Sequence, residues 1–376
     1  MKKIYFILSF VLVTVLSFTS CDKANVEPED SNILPETFSV EIPQSLNQST
    51  LKLIKNGEED VLQGDDIYGH LTTFIHIGDE AAKIVENVIK AISQYGLNQP
   101  MSFSYESDDD GRTKNLVIVA DSEFEGTVWN YQMTITDADS EGNDDGGNAM
   151  QIFWNTGTTE GIAIMKPYNI DHNTETLFAQ AMFRIDYSET GKNGYEQEMT
   201  VYISGITLPS PLTEPFAMET MKMTAGRNGN VVEVFGNSNH PNAVLFSSET
   251  GFNWAFVAAG ETDSDIGVAE VGLPPSSLNS VDRNRELILG RYSIKDVFTN
   301  EIIDTYPGIG ATLLATFLQN TDAPGYFNAQ QGFLQGGTSP GDEYNTISTA
   351  IESLVPYNPL EVTNLSLEFK ANASVK

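Results

Sequence analysis

The sequence predicts an α+β fold that is mainly β, a long curved antiparallel sheet with a few helices packed on one face. Three observations predict it. Apolar and polar residues alternate over many short runs, Asp, Asn and Gly clusters separate those runs as turns, and one longer stretch carries a helical stripe instead. The 376 residues are 40% hydrophobic and 10% aromatic, which excludes a disordered chain and allows one large or two medium globular units.

The elements follow in order. Phe38, Val40 and Ile42 alternate with Ser39 and Glu41. Next comes a helix over about 80–95, where Ala81, Ile84, Val85, Val88, Ile92 and Tyr95 form one apolar stripe. Asp79 can cap its start, Gly96 can end it, and Glu86 and Lys90 form an i,i+4 pair. Strand alternation resumes at Trp129, Tyr131 and Met133, then at Met150, Ile152 and Trp154. It continues at Phe183, Ile185 and Tyr187, and at Met199, Val201 and Ile203. Leu365, Leu367 and Phe369 form the last run. Successive strand side chains point to opposite faces, so each run has one buried and one wetter face, as antiparallel sheets do. Shorter helices are expected over 283–298, 309–319 and 343–354, the second reading equally well as a strand. Leu208-Pro209-Ser210-Pro211 stops any element and is the best place for a boundary, between 36–207 and 212–376. A single meander is the alternative.

Charge and cysteine usage narrow the classes. Asp and Glu number 52 against 20 Lys and Arg, a formal charge of −32. A basic nucleic-acid-binding surface is excluded, because phosphate would be repelled. One cysteine excludes a disulfide scaffold.

That cysteine has a telling position. Met1-Lys2-Lys3 is positively charged, Ile4 to Leu16 is uncharged and apolar, and Ser17-Phe18-Thr19-Ser20 precedes Cys21. The apolar run is short for a bilayer span. This segment resembles a bacterial lipoprotein signal peptide with its lipobox, although Phe18 stands where Leu, Val or Ile is usual. The resemblance covers residues 1–21 and implies removal of 1–20 and acylation of Cys21. It implies a membrane partner through the acyl chains, with no free thiol left in the mature chain. Two or three chains anchor stably, at about 0.8 kcal/mol per buried CH₂. Asp22 to Pro35 is polar, acidic and aperiodic, and reads as a tether reaching at most roughly 50 Å. The relaxed lipobox and acidic tether look more like lipoproteins of the Bacteroidota, which implies the outer membrane, periplasmic or surface-facing. The globular body is then 36–376.

Several motifs are candidate sites. Asp137, Asp139, Glu141, Asn143 and Asp145 place oxygen ligands at alternate positions, with Gly142 sixth, like the start of a calcium loop. Asn148 replaces the closing glutamate and strands flank the loop, so an EF-hand is rejected. A surface calcium site or an acidic hairpin loop remains, and calcium is the sole cofactor considered. Arg283, Arg285, Arg291 and Lys295 form a basic island that either grips an anionic group on a partner protein or glycan, or is neutralised internally.

Other strings are weaker. Gly337-Thr338-Ser339-Pro340-Gly341 fits G-x-S-x-G, but Pro340 lacks the N–H an oxyanion hole needs. Gly308-Ile309-Gly310 lacks a βαβ setting. His70 and His76, on one strand face with Asp66 and Asp79 near, would suit a metal. Trp129, Trp154 and Trp254 could stack on sugars, but the alternation puts Trp129 and Trp154 on apolar faces. No catalytic residue is nominated. The function expected is a non-enzymatic binding or structural role in the cell envelope. The alternatives are a half-barrel carrier of a hydrophobic ligand, which requires a cavity under the helix at 80–95, and a glycan hydrolase with a carboxylate pair.

Overall fold

The computed structural model describes residues 33–35, 37–48, 62–93, 99–156, 159–174, 178–208, 216–246 and 251–371. Cys21, Asp22 to Asn32, Tyr95, Gly96 and Pro209 to Pro211 lie outside them. Thirteen strands form one antiparallel sheet, each paired with its neighbours in chain order. The first seven are β1 (Met101–Glu106), β2 (Thr113–Phe124), β3 (Thr127–Asp137), β4 (Asn148–Asn155), β5 (Glu160–Met165), β6 (Met182–Ser188) and β7 (Gln197–Ser204). The rest are β8 (Thr220–Asn228), β9 (Val231–His240), β10 (Phe252–Glu261), β11 (Ile266–Gly272), β12 (Gly325–Asn328) and β13 (Gly332–Gly336). The sheet is open, with β1 and β13 as its edges. It passes without a break from β7 to β8, through the register Gln197↔Arg227 to Ile203↔Met221. The helices are α1 (Gly64–Ser93), α2 (Pro167–Ile170), α3 (Ile294–Thr305), α4 (Ala311–Phe317), α5 (Asn345–Ile351) and α6 (Pro359–Thr363). No helix among the described residues is long and apolar enough to cross a membrane.

Period-two runs translate directly into ladders. In β6, Phe183, Ile185 and Tyr187 are buried while the residues between them are half-exposed. These side chains join Met150, Ile152, Trp154, Met199, Val201 and Ile203 on one face, here the inner face, packed on α1. Ile67, Leu71, Ile75, Ala82 and Val85 of α1 are fully buried there. Burial of each large side chain contributes about 1.5–3 kcal/mol, which is what fixes the helix on the sheet.

Three differences from expectation have physical causes. First, α1 begins sixteen residues before the predicted start at 80. Gly69, Thr72-Thr73 and Gly78 weaken local helix propensity, but tertiary packing overrides it. Gly78 lies close against the sheet, since a Cβ there would lie 2.6 Å from the Met221 and Met223 methyls, which would have to shift. Second, Phe38, Val40 and Ile42 are buried in alternation but belong to no ladder. Their segment lies between α1 and the sheet. The Phe38 amide donates to Glu86 Oε1 at 2.8 Å, and its ring stacks on Tyr187 at 5.6 Å. Third, helices occupy both faces. Ala255, Val257 and Ala259 on the outer face of β10 pack with Ile347 and Ile351 of α5. The run Phe252 to Ala259 has little polar alternation because both its faces are covered.

Candidate functional site

The outer face is built from two rows of directly opposed side chains. One row runs Gln151, Ile164, Arg184, Tyr202, Lys222 and Asn237 across β4 to β9. The other runs Phe153, Ile162, Asp186, Thr200, Thr224 and Phe235. The chain after α5 crosses these rows from the β9 side back to β2, and Leu354 to Ala371 form a strap over them. Leu365, Leu367 and Phe369 are half-buried in alternation with exposed neighbours, but they make no ladder, so the strand their alternation predicts does not form.

Cation–aromatic contacts hold the first part of the strap. Lys222 Nζ lies 3.8 Å from the Tyr357 ring centre, and Arg283 lies 4.8 Å from Tyr357 and 5.0 Å from Phe235. Tyr357 Oη meets Thr224 Oγ1 at 2.7 Å, and Lys222 Nζ pairs with Glu361 of α6 at 2.7 Å. Asn358 caps α6 by accepting from the Glu361 amide at 3.0 Å.

The far end of the strap is held differently. The fully buried Gln151 clamps the Lys370 backbone, accepting from its N–H at 2.8 Å and donating to its C=O at 3.2 Å. Lys370 Nζ donates to Ser122 Oγ at 2.7 Å and Gln132 Oε1 at 3.1 Å, with the Phe153 ring 5.7 Å away. Phe369 packs on an apolar cluster of Trp129, Phe153, Ile162 and Ile164, with Phe124 and Met182 at its edge. Sequence reasoning missed this site. The available signal was Gln151, a lone amide inside the run Ala149 to Trp154 that is buried on both faces.

Beside the strap lies a groove of about 720 Å³, lined by Glu123, Phe124, Glu125, Arg184, Glu368 and Phe369 among others. Arg184 is committed within it. Its guanidinium donates to Glu125 at 2.6 and 2.8 Å and to Asp186 at 2.6 and 3.2 Å. The Arg184 hydrogen bonds hold the Glu125 carboxyl below its ordinary range, whereas burial pushes the Asp186 carboxyl up despite the same guanidinium. Glu123 and Glu368 are exposed.

Two carboxylates of the loop nominated for calcium, Asp137 and Asp145, are engaged by side-chain cations. Asp137 is fully buried and accepts from Arg112 Nε at 2.8 Å and Nη2 at 3.1 Å. Lys114 Nζ is 3.5 Å from it and 3.0 Å from Asp110, and is itself 2% exposed. His172 Nε2 approaches Asp137 to 2.7 Å, off the line of a hydrogen bond. Asp145 takes Lys166 at 2.6 Å and Asn169 at 3.0 Å. Glu141 accepts from Asn115 at 2.9 Å, the Asp139 amide donates to Asp137, and the Asn143 amide closes a turn onto Ser140. Among the described residues no three His, Cys, Asp or Glu side chains gather as a metal ion needs.

The basic island is likewise divided. Arg283 donates to the Val355 and Pro356 carbonyls. Arg285 donates to the Ile351 and Leu354 carbonyls and pairs with Glu270. Lys295 pairs with Asp322 at 2.7 Å, and the Arg291 side chain is exposed. The first two arginines therefore hold α5 and the strap in place.

His70 and His76 sit on α1, not on a strand, and six helical positions place them on different sides. His76 Nδ1 meets Asn47 Oδ1 at 2.7 Å. His70 lies among Phe74, Phe216 and Trp254. Trp154 and Trp254 are core residues that donate to the Ile33 and Ile67 carbonyls. Trp129 belongs instead to the outer-face cluster, beyond Asp121, whose φ of 53° interrupts β2. Comparison with protein-family models, curated proteins and solved structures finds no match to this chain.

Proposed function

We propose that this chain is a lipid-anchored protein of the cell envelope, acylated at Cys21 and held at the outer membrane, and that its role is non-enzymatic binding through the outer face of its sheet. The observation that carries the binding role is the groove of about 720 Å³ beside the strap, where aromatic rings and carboxylates meet. The inner face offers a ligand little room, since α1 and the 37–46 segment fill it with fully buried side chains. The groove's guanidinium is tied to Glu125 and Asp186, an arrangement suited to a fixed recognition surface and poorly suited to proton transfer. The anchor reading rests on the order of Lys2-Lys3, the apolar run, the small residues and Cys21.

Membrane fractionation tests the anchor. Cys21→Ala should move the protein from the membrane to the soluble fraction and abolish labelling by a fatty-acid analogue. A variant that stays membrane-bound would sink the reading.

A further inference from the structure

We infer that the outer face carries a receptor for a polypeptide segment in which an aromatic residue precedes a lysine, and that the chain's own Phe369–Lys370 occupies it in cis. The inference deepens the binding role proposed above and rests on it.

Three separate recognition elements meet at the far end of the strap. Gln151 reads backbone alone, through one accepted and one donated hydrogen bond to Lys370. An amide used this way accepts any residue in extended conformation. Side-chain selectivity comes from the other two elements. The apolar cluster of Trp129, Phe153, Ile162 and Ile164 takes the Phe369 ring. Ser122 Oγ and Gln132 Oε1 take the ammonium with the Phe153 ring face nearby.

The lysine subsite is unusual for so acidic a chain. The ammonium meets two neutral oxygens and a ring face, and among the described residues no carboxylate forms an ion pair with it. Neutral acceptors bind an ammonium reversibly, because withdrawal strands no buried charge. The adjoining groove then sets the character of a longer ligand. On its sheet side Glu123 is exposed beside Phe124, with Glu125 held by Arg184, while Glu368 and Phe369 belong to the strap itself. That surface complements a basic, aromatic-bearing segment and repels an acidic one.

The strap is held weakly at this end. It makes no ladder hydrogen bonds, and its residues alternate between half-buried and exposed from Leu365 to Phe369. Displacement by a partner segment therefore requires breaking only the Gln151 clamp, the lysine contacts and one aromatic contact. A tethered segment competes at an effective concentration on the order of millimolar, so the intact chain should bind such a partner weakly until the strap is loosened.

Calorimetry and Trp fluorescence on the full chain test this, with an acetylated and amidated peptide of Asn364–Ala371 as the probe. The double variant Phe369→Ala/Lys370→Ala should bind the peptide at least tenfold more tightly than wild type. Peptides carrying Ala at the Phe position or Glu at the Lys position should each lose at least tenfold. Gln151→Leu in the double-variant background should abolish binding. Circular dichroism melting establishes that each variant is folded. Should the double variant not fold, Lys370→Ala alone keeps Phe369 in its cluster and should still bind the peptide more tightly than wild type. A folded variant that ignores the peptide at millimolar concentration, that binds the altered peptides equally well, or that takes a neutral oligosaccharide instead would overturn the inference. Because fractionation of Cys21→Ala is independent of the strap, failure here and failure of the anchor reading are distinguishable.

Discussion

Asp137 is a fully buried carboxylate that two cations and a histidine share. Burial alone would raise its pKa, but the Arg112 hydrogen bonds, Lys114 and the Asp139 amide outweigh that and hold it below the ordinary value of 3.8. A depressed carboxyl contributes stability above its unfolded pKa, and that contribution is lost as pH falls below about 3.8. Asp137→Asn should cost about 1–3 kcal/mol at neutral pH, because Arg112 loses its charged acceptor while the buried Lys114 keeps Asp110 at 3.0 Å. Chemical denaturation measures it, and a loss under about 1 kcal/mol would contradict the burial argument. Histidines give a second, milder acid step. Burial pushes His70 down to about 4 and His240 down to about 3. His240 meets Ser238 Oγ at 2.7 Å and the Phe216 carbonyl at 2.8 Å, and burial outweighs the carbonyl, which favours the charged ring. A histidine whose folded pKa lies below its unfolded 6.5 contributes full stability above 6.5, and loses it as pH falls toward 4. The slope is about 1.4 kcal/mol per pH unit for each such group. Asp186 and Glu270, whose carboxyls burial pushes up, act in the opposite sense. Comparing wild type with His70→Phe isolates the histidine, since Phe fits the ring cage of Phe74, Phe216 and Trp254. The variant should match wild type near pH 7.5 and lose less stability at pH 5. Parallel curves would show that His70 titrates normally.

At the scale of elements, two extended segments act as straps, one on each face. On the inner face, Phe38 sits over Gly161, where a Cβ would lie 2.8 Å from its ring and 2.7 Å from the Phe153 carbonyl. Gly161→Ala should therefore destabilise by about 1–3 kcal/mol through overpacking. Phe38→Leu should recover part of that loss, a coupling that a double-mutant cycle measures. On the outer face, Arg283→Ala removes the ties to Val355 and Pro356 and both ring contacts. Hydrogen exchange over 355–371 should then rise by an order of magnitude or more while the strands of the sheet keep their protection. Both straps were half legible in the sequence. Alternation at Phe38, Val40 and Ile42, and at Leu365, Leu367 and Phe369, specifies extended backbone with one buried side. It does not specify a hydrogen-bonding neighbour, so a strap and a strand read alike. The early turns of α1 were hidden for the converse reason, because Gly69, Thr72-Thr73 and Gly78 are poor local helix formers whose helicity comes from what they pack against. The candidate site was the least legible part. Gln151, Ser122, Gln132 and Lys370 come from three strands and the C-terminal strap, and no local spacing connects them.

For the whole molecule, thirteen strands in chain order leave the sheet open, and many carboxylates among the described residues, such as Glu123, Asp139, Glu141 and Glu198, are solvent-accessible, in a chain of charge −32. Repulsion among exposed carboxylates opposes the compact state, and salt relieves it. The screening length falls from about 30 Å at 0.01 M salt to about 3 Å at 1 M. Contacts such as Lys295 with Asp322, both largely exposed, weaken over the same range but contribute little at any salt. The buried pairs at Asp137 and Lys114 are screened least. Net repulsion therefore dominates, and Tm should rise by several degrees between about 0.01 M and about 1 M NaCl. Calcium at matched ionic strength should raise Tm no further, because Asp137 and Asp145 already hold Arg112, Lys114 and Lys166. Binding the ion there would first release those cations, one of them from a nearly inaccessible site. A saturable increase specific to calcium at millimolar concentration, lost in Asp145→Asn, would show that the loop rearranges to offer its oxygens to the ion and that the cation network is the alternative state of a metal site.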